Sequence, residues 1–148
     1  MEFSDWKQFE ALLYSLSTIA LKDKKAAQLI SPASYINGTT RANKNVTGWG
    51  KWAAVDVDDH DFKGDLKNEL FDRFGNWNYV CYSTASSTKD FPKFRLVFPL
   101  TAKVDEPRIK QFWWALNSEL GSIGDRQTKD LSRMYYIPAS YDNAYNFI

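Results

Sequence analysis

The stretch AAVDVDDHD, Ala53 to Asp61, is an apolar run that ends in four carboxylates and the chain's single histidine. With Trp52 in front of it, the run reads as a β-strand over residues 52–58. Side chains on a strand alternate between its two faces. If Val55 and Val57 meet a core, Asp56 and Asp58 share the opposite face, with Cα atoms roughly 7 Å apart. Two carboxylates at that spacing can converge on one cation or on a close pair of cations. Asp59 and Asp61 read as loop or helix-cap acids. His60 faces away from the pair by alternation, or lies in the turn, and reads as a bystander.

Working downstream, FKGDLKNELFDRFG (62–75) has helical spacing, with Leu66, Leu70 and Phe74 on one face and Gly75 as a stop. WNYVCYST (77–84) and KFRLVFPL (93–100) read as strands. In the second, Phe94, Leu96 and Phe98 claim the core face, which puts Arg95 on the open face with the aspartates. EPRIKQFWWALNSELG (106–121) reads as a helix with Pro107 in its first turn and Ile109, Phe112, Trp113, Leu116 and Leu120 as its apolar stripe. Trp113 and Trp114 are adjacent, so only one of them can lie at the centre of that stripe. RMYYIPA (133–139) reads as a last strand, in which Tyr135 and Tyr136 alternate. Upstream, Ser4 can cap a helix running to about Leu21 on the stripe Trp6, Phe9, Leu13, Leu16 and Ala20. KDKK (22–25) frays its end, and residues 26–51 read as an irregular, turn-rich connection.

The element order is strand, helix, strand, strand, helix, strand. The expected fold class is therefore α+β: a ferredoxin-like, RRM-like βαββαβ core with the N-terminal helix and irregular segment packed on it. Right-handed crossovers place the first and third strands side by side in an antiparallel sheet with both helices on one face. One domain is expected over residues 1–148, with a helix and loop region at 1–51, the core at 52–140 and a tail at 141–148.

Composition sets limits on function. With 44% hydrophobic and 16% aromatic residues, the chain can bury a sizeable core. Nineteen basic against eighteen acidic residues leave a net charge of +1, so any polyanion surface must come from local segregation of charge. One cysteine, Cys81, excludes a disulfide framework or Cys-rich zinc site within one chain and reads as a small core residue. No segment has the form of a signal peptide or membrane span, so the expected setting is cytoplasmic, the host cytoplasm if the protein is viral, with no membrane partner.

Three pieces, AAVDVDD, YSTASSTKDFPKFRLVFPL and DRQTKDLSRMYYIPAS, resemble in order the catalytic core of archaeo-eukaryotic primases, in the primase-polymerase form of phages and plasmids. That family is similar in its hhhDhD strand, its histidine-bearing hairpin, and its acid followed by an SR and a tyrosine-proline pattern. The resemblance implies a DNA primase or DNA polymerase, a nucleotidyltransferase working in DNA replication on a template, a primer and (deoxy)nucleoside triphosphates. Two ions, Mg²⁺ or Mn²⁺, would be held by Asp56, Asp58 and a third acid, Asp125, with Asp130 as the competing assignment. Arg95, Lys93, Arg133, Ser86 and Ser87 would contact nucleotide phosphates or template backbone. A helicase or helical accessory domain accompanies many relatives.

One departure matters. The family's hairpin histidine falls at Ser87, and a common second one at Ala85. Loss of a charge-assisted contact costs roughly 1.5–3 kcal/mol, one to two decades in rate. The alternative to a working polymerase is thus a weakened primase-like domain that binds DNA as a replication-initiation module. A phosphohydrolase with a strand-end Asp-x-Asp is disfavoured, since it needs parallel βα units and a following Thr. An RNA-recognition module needs glycine and exposed aromatics on its third strand, which KFRLVFPL lacks.

Overall fold

The computed structural model describes residues 5–148. The protein is mixed α+β, with three α-helices and several small sheets among those residues. In chain order the elements are α1 (Trp6–Ser17), β1 (Ala20–Leu21), β2 (Leu29–Ile30), β3 (Ala33–Tyr35), β4 (Val46–Trp49), β5 (Trp52–Val57), α2 (Leu66–Phe74), β6 (Val80–Ser83), β7 (Phe94–Pro99), β8 (Val104–Asp105), α3 (Ile109–Glu119), β9 (Tyr135–Tyr136) and β10 (Ser140–Tyr141).

The site rests on the antiparallel sheet β5-β7-β6, in which the first and third core strands are neighbours. The alternation of side chains sorts its two faces. Val55, Val57, Phe94, Leu96 and Phe98 are buried against Leu70 and Phe74 of α2 and Ile109, Trp113 and Leu116 of α3. On the other face, Ala54, Val97 and Val80 are covered by Phe9 and Leu13 of α1, with Trp52 packed beside them. On that same face Asp56, Arg95 and Tyr82 stand in cross-strand register, with Tyr82 buried in the layer that α1 covers. Each large apolar side chain buried in these two layers contributes about 1.5–3 kcal/mol. The layers hold the sheet rigid beneath three polar residues.

Several sequence expectations are corrected. Ser4 lies outside the described residues, and the observed cap of α1 is Asp5, which accepts from the Lys7 N–H at 2.7 Å. Helix α1 ends at Ser17 rather than near Leu21. Ser17 and Thr18 turn their hydroxyls onto the Tyr14 and Ser15 carbonyls, and Ala20–Leu21 leave the helix to pair in parallel with Ser140–Tyr141. Helix α2 begins at Leu66 rather than Phe62, with Asp65 as its cap. Residues 26–51 are more ordered than expected: they contain β2, β3 and β4, and β3-β4-β8 form a second sheet. Gly48 belongs to that sheet because a Cβ there would meet the Val104 carbonyl oxygen at 2.8 Å.

The last expected strand also differs. Only Tyr135–Tyr136 is extended and paired, and its partner is Leu29–Ile30. The outer edge of β5 is satisfied by other groups. The Ala54 carbonyl accepts from the Tyr135 hydroxyl at 3.0 Å, and the Asp56 carbonyl accepts from the Asp125 N–H at 2.7 Å. A buried carbonyl needs one partner, not a particular one. A side chain and a loop amide therefore take the place of a fourth strand, and the sheet stays three-stranded.

Candidate active site

Asp56 comes from β5, Arg95 from the second position of β7, the central strand, and Tyr82 from β6; Arg95 stands directly opposite both. Asp56 and Arg95 are almost fully buried, at 7% and 5% exposure. Arg95 donates from Nε to the Asp56 carboxylate, and from Nη1 to the Tyr82 hydroxyl at 3.0 Å and the Tyr136 carbonyl at 2.6 Å. Its guanidinium lies over the Tyr135 ring, 4.8 Å from the centroid. Burial alone would push the Arg95 pKa down, but the Asp56 carboxylate and the hydrogen bonds to Asp56 and to the Tyr82 hydroxyl outweigh it, and the group is held firmly charged. Burial raises the Tyr82 hydroxyl above its usual range. It stays protonated and donates to the Tyr136 carbonyl at 3.0 Å. These bonds use one Asp56 oxygen and leave Arg95 Nη2 over.

Asp58 follows the end of β5 and is exposed. Its carboxyl is held above the ordinary 3.8, first by partial desolvation and next by Asp56; Asp125 adds to the shift, while Lys93 and Arg95 oppose it. Asp56 and Asp125 thus both lie within electrostatic reach of Asp58. Asp125 is brought there by its own N–H on the Asp56 carbonyl, after the buried turn at Gly124, whose N–H donates to Asn117 Oδ1 at 2.7 Å. The Asp125 side chain caps the following 3-10 turn, Arg126–Lys129, by accepting from the Gln127 N–H at 3.0 Å. Asp130 lies at the far end of that turn and is exposed. Among the described residues no three His, Cys, Asp or Glu side chains converge into a ready-made metal cage.

Asp56, Asp58 and Arg95 open into a cleft of about 410 Å³. Its other walls include Arg133, Tyr136, Tyr141, the hairpin residues 83–86, and Lys22 and Lys24. Arg133 Nε is buried without a hydrogen-bond partner among the described residues, and Nη1 only grazes the Gln127 carbonyl at 3.5 Å. Most of that guanidinium's donors are uncommitted. Ser86 lines the cleft, whereas Ser87 is buried at 1% exposure. The Ser87 hydroxyl accepts from the Lys93 N–H at 3.1 Å and its carbonyl accepts from the Tyr145 N–H at 2.9 Å, so it serves the hairpin's shape. Lys93 stands beside Asp58 rather than on the cleft wall.

His60 lies outside the cleft. Its Nδ1 accepts from the Phe62 N–H at 3.3 Å, which leaves Nε2 to donate to the Pro92 carbonyl at 2.8 Å, and its ring stacks on Phe91 at 4.5 Å. Cys81 is partly buried and packs against the core, and desolvation pushes its thiol well above its ordinary range. The residues that sequence reasoning missed are Lys22, Lys24, Tyr82 and Tyr136. Tyr82 could have been found by aligning YVCYS against FRLVF, which sets it opposite Arg95. The two lysines carried no such signal, because the β1–β10 pairing and the Asp142 N–H on the Leu21 carbonyl at 3.0 Å bring them to the cleft.

No family model, curated protein or solved structure matches this chain. No helix among the described residues is long and apolar enough to cross a membrane. What fold and site define is a mixed α+β protein with a cleft lined by both carboxylates and cations.

Proposed function

We propose that the chain is a primase-polymerase-type nucleotidyltransferase domain of phage or plasmid replication, built on a ferredoxin-like core whose fourth strand has been displaced from the sheet. The observation that carries this reading is the cleft, which Asp56 and Asp58 share with Arg95, Arg133, Lys22 and Lys24 and with two further acids, Asp23 and Asp142, while Asp125 lies within electrostatic reach of Asp58. Acids alone would repel a triphosphate and cations alone would bind it without chemistry. Together they suit a phosphate chain that arrives with divalent metal.

The donor set fits Mg²⁺ or Mn²⁺. Carboxylate oxygens are hard ligands, and Asp58 has two further carboxylates, Asp56 and Asp125, within electrostatic reach. Asp58, Asp125 and the Asp56 oxygen not used by Arg95 would hold the ions, which would supply Lewis acidity to the attacking and leaving oxygens. In the reaction a primer 3′-hydroxyl attacks the α-phosphorus of a nucleoside triphosphate. A P–O bond forms, the bond to the pyrophosphate oxygen breaks, and the hydroxyl proton passes to solvent or a carboxylate. Arg133, Lys22 and Lys24 neutralise and orient the phosphates. Arg95 fixes the Asp56 carboxylate by a charge-assisted bond and keeps one nitrogen for the ligand. Ser86 offers a neutral hydroxyl from the hairpin.

The test is nucleotide incorporation on primed and unprimed single-stranded templates with Mg²⁺ or Mn²⁺. Asp58→Ala is the informative variant, because Asp58 is exposed and outside the buried ion pair. It is expected to abolish incorporation with circular dichroism unchanged, and full incorporation by this variant overturns the assignment. A second reading, a DNA-binding module with little or no catalysis, is favoured by the hairpin, which lines the cleft with Ser83, Thr84, Ala85 and Ser86 and no cation. It requires DNA binding by the wild type without incorporation in either metal.

A further inference from the structure

The exposed face of α3 carries a feature that the cleft chemistry does not use. Trp113 is fully buried, while Trp114 beside it is 44% exposed and set edge-on against it, at 5.1 Å and 85°. The buried ring anchors the exposed one. Two cations from the next turn flank Trp114: Arg126 lies 5.8 Å and Lys129 5.6 Å from its ring centroid. Both are exposed, and neither is in an ion pair among the described residues. Lys110, also exposed, is four residues before Trp114 and so lies on the same side of α3. The acids nearest in sequence are Asp125, whose side chain caps the turn, Asp130 at its end, Glu119 at the end of α3, and Glu106 four residues before Lys110.

We propose that this patch is a binding surface for a single strand of nucleic acid, with a base stacked on Trp114 and flanking phosphates held by Arg126, Lys129 and Lys110. An anchored, half-exposed aromatic ringed by unpaired cations matches what a single strand presents, a flat base every phosphate or so. An acidic peptide would match the charges and leave the ring unused. The patch is tied to the acids through the chain: Asp125, held by its N–H on the Asp56 carbonyl, is followed directly by Arg126. Resting on the nucleotidyltransferase reading, the patch deepens it by giving the template strand a track beside the acids.

The experiment is fluorescence-anisotropy titration of the full chain with labelled oligo-dT and oligo-rU across a series of salt concentrations, with poly-glutamate as competitor. Trp114→Ala is expected to weaken strand binding about five- to 150-fold, the equivalent of one stacked base, and Trp114→Phe to restore most of it. Replacing Arg126 and Lys129 by glutamine is expected to flatten the slope of log affinity against log salt by about 1.4, at 0.7 per phosphate. Wild-type affinity in Trp114→Ala, no strand binding by the wild type at low salt, or displacement by poly-glutamate as effective as by unlabelled strand would each overturn the proposal. Strand binding that depends on Trp114 in a protein without incorporation would sink the polymerase reading and leave this one standing. Incorporation with strand binding indifferent to Trp114 would do the reverse.

Discussion

Asp56 and Asp58 are two residues apart and face the same side, yet their surroundings separate their roles. Asp56 is buried and answered by Arg95, so removing either partner strands a charge in the interior, a loss of about 3–5 kcal/mol. Inactivity of an Asp56 variant would therefore confuse chemistry with folding. Asp58 has no such partner, and its carboxyl is raised by desolvation and by Asp56. An acid whose folded pKa lies above its unfolded one binds protons more tightly in the native state. Its penalty on stability is absent below the unfolded value, grows as pH rises from 3.8 through the folded value, and is complete above it. Asp58→Asn is accordingly expected to raise the melting temperature at pH 7 without metal and to leave it unchanged near pH 3. Thermal denaturation by circular dichroism at the two pH values checks this, and an equal shift at both would show that the carboxyl's charge is not the cause. The shared outward face of the aspartates and Arg95 was legible in the sequence because strand alternation is a local rule. The commitment of Arg95 to Asp56 was not, since it depends on how deeply the strand ends are buried.

At the scale of elements, the third acid depends on one tight passage. Between α3 and the 3-10 turn the chain passes so close to β5 that a Cβ at Gly124 would overlap Val55 Cγ1 and stand 2.5 Å from Asn117 Oδ1. Neither neighbour can yield easily: Val55 is buried in the central core, and Asn117 is buried with its oxygen on the Gly124 N–H. Gly124→Ala is expected to cost about 1–3 kcal/mol, the usual range for an overpacked site, read as a lower urea midpoint. An unchanged midpoint would mean that the turn does not hold Asp125 against β5. The long periodic elements were legible: α2, α3 and the strands around Val55, Cys81 and Leu96 lie where spacing placed them, with shorter ends. The two-residue strands were not, because a pair such as Ala20–Leu21 with Ser140–Tyr141 is too short to leave a period and is defined by its distant partner. The missing fourth strand has the same origin. RMYYIPA has strand-like composition, but nothing local says that the Tyr135 hydroxyl and the Asp125 amide will take the β5 edge first.

For the molecule as a whole, nineteen basic and eighteen acidic residues nearly cancel, so function must lie in how charge is separated. Asp56, Asp58 and Asp125 gather at one end of the central sheet, where Arg95 answers Asp56, while Lys22, Lys24 and Arg133 line the cleft beside them and Arg126 and Lys129 flank Trp114 on α3. A protein built this way should be most stable when a divalent ion completes the set, because a ligand that binds only the native state adds stability by mass action. At about a hundredfold excess over its dissociation constant the gain is about 2.7 kcal/mol, or about 5–10 °C in a chain of this size. Mn²⁺ is expected to raise the wild-type melting temperature by that amount over a sodium control of equal ionic strength. The Asp58→Asn variant makes the prediction sharper, since the carboxylate that weakens the metal-free protein is the one that would bind the ion. In EDTA the variant should melt above the wild type, and in saturating Mn²⁺ below it. General screening of charge would move both proteins by the same amount and could not produce that crossing, so parallel shifts in a metal titration followed by differential scanning fluorimetry would remove the metal from the site.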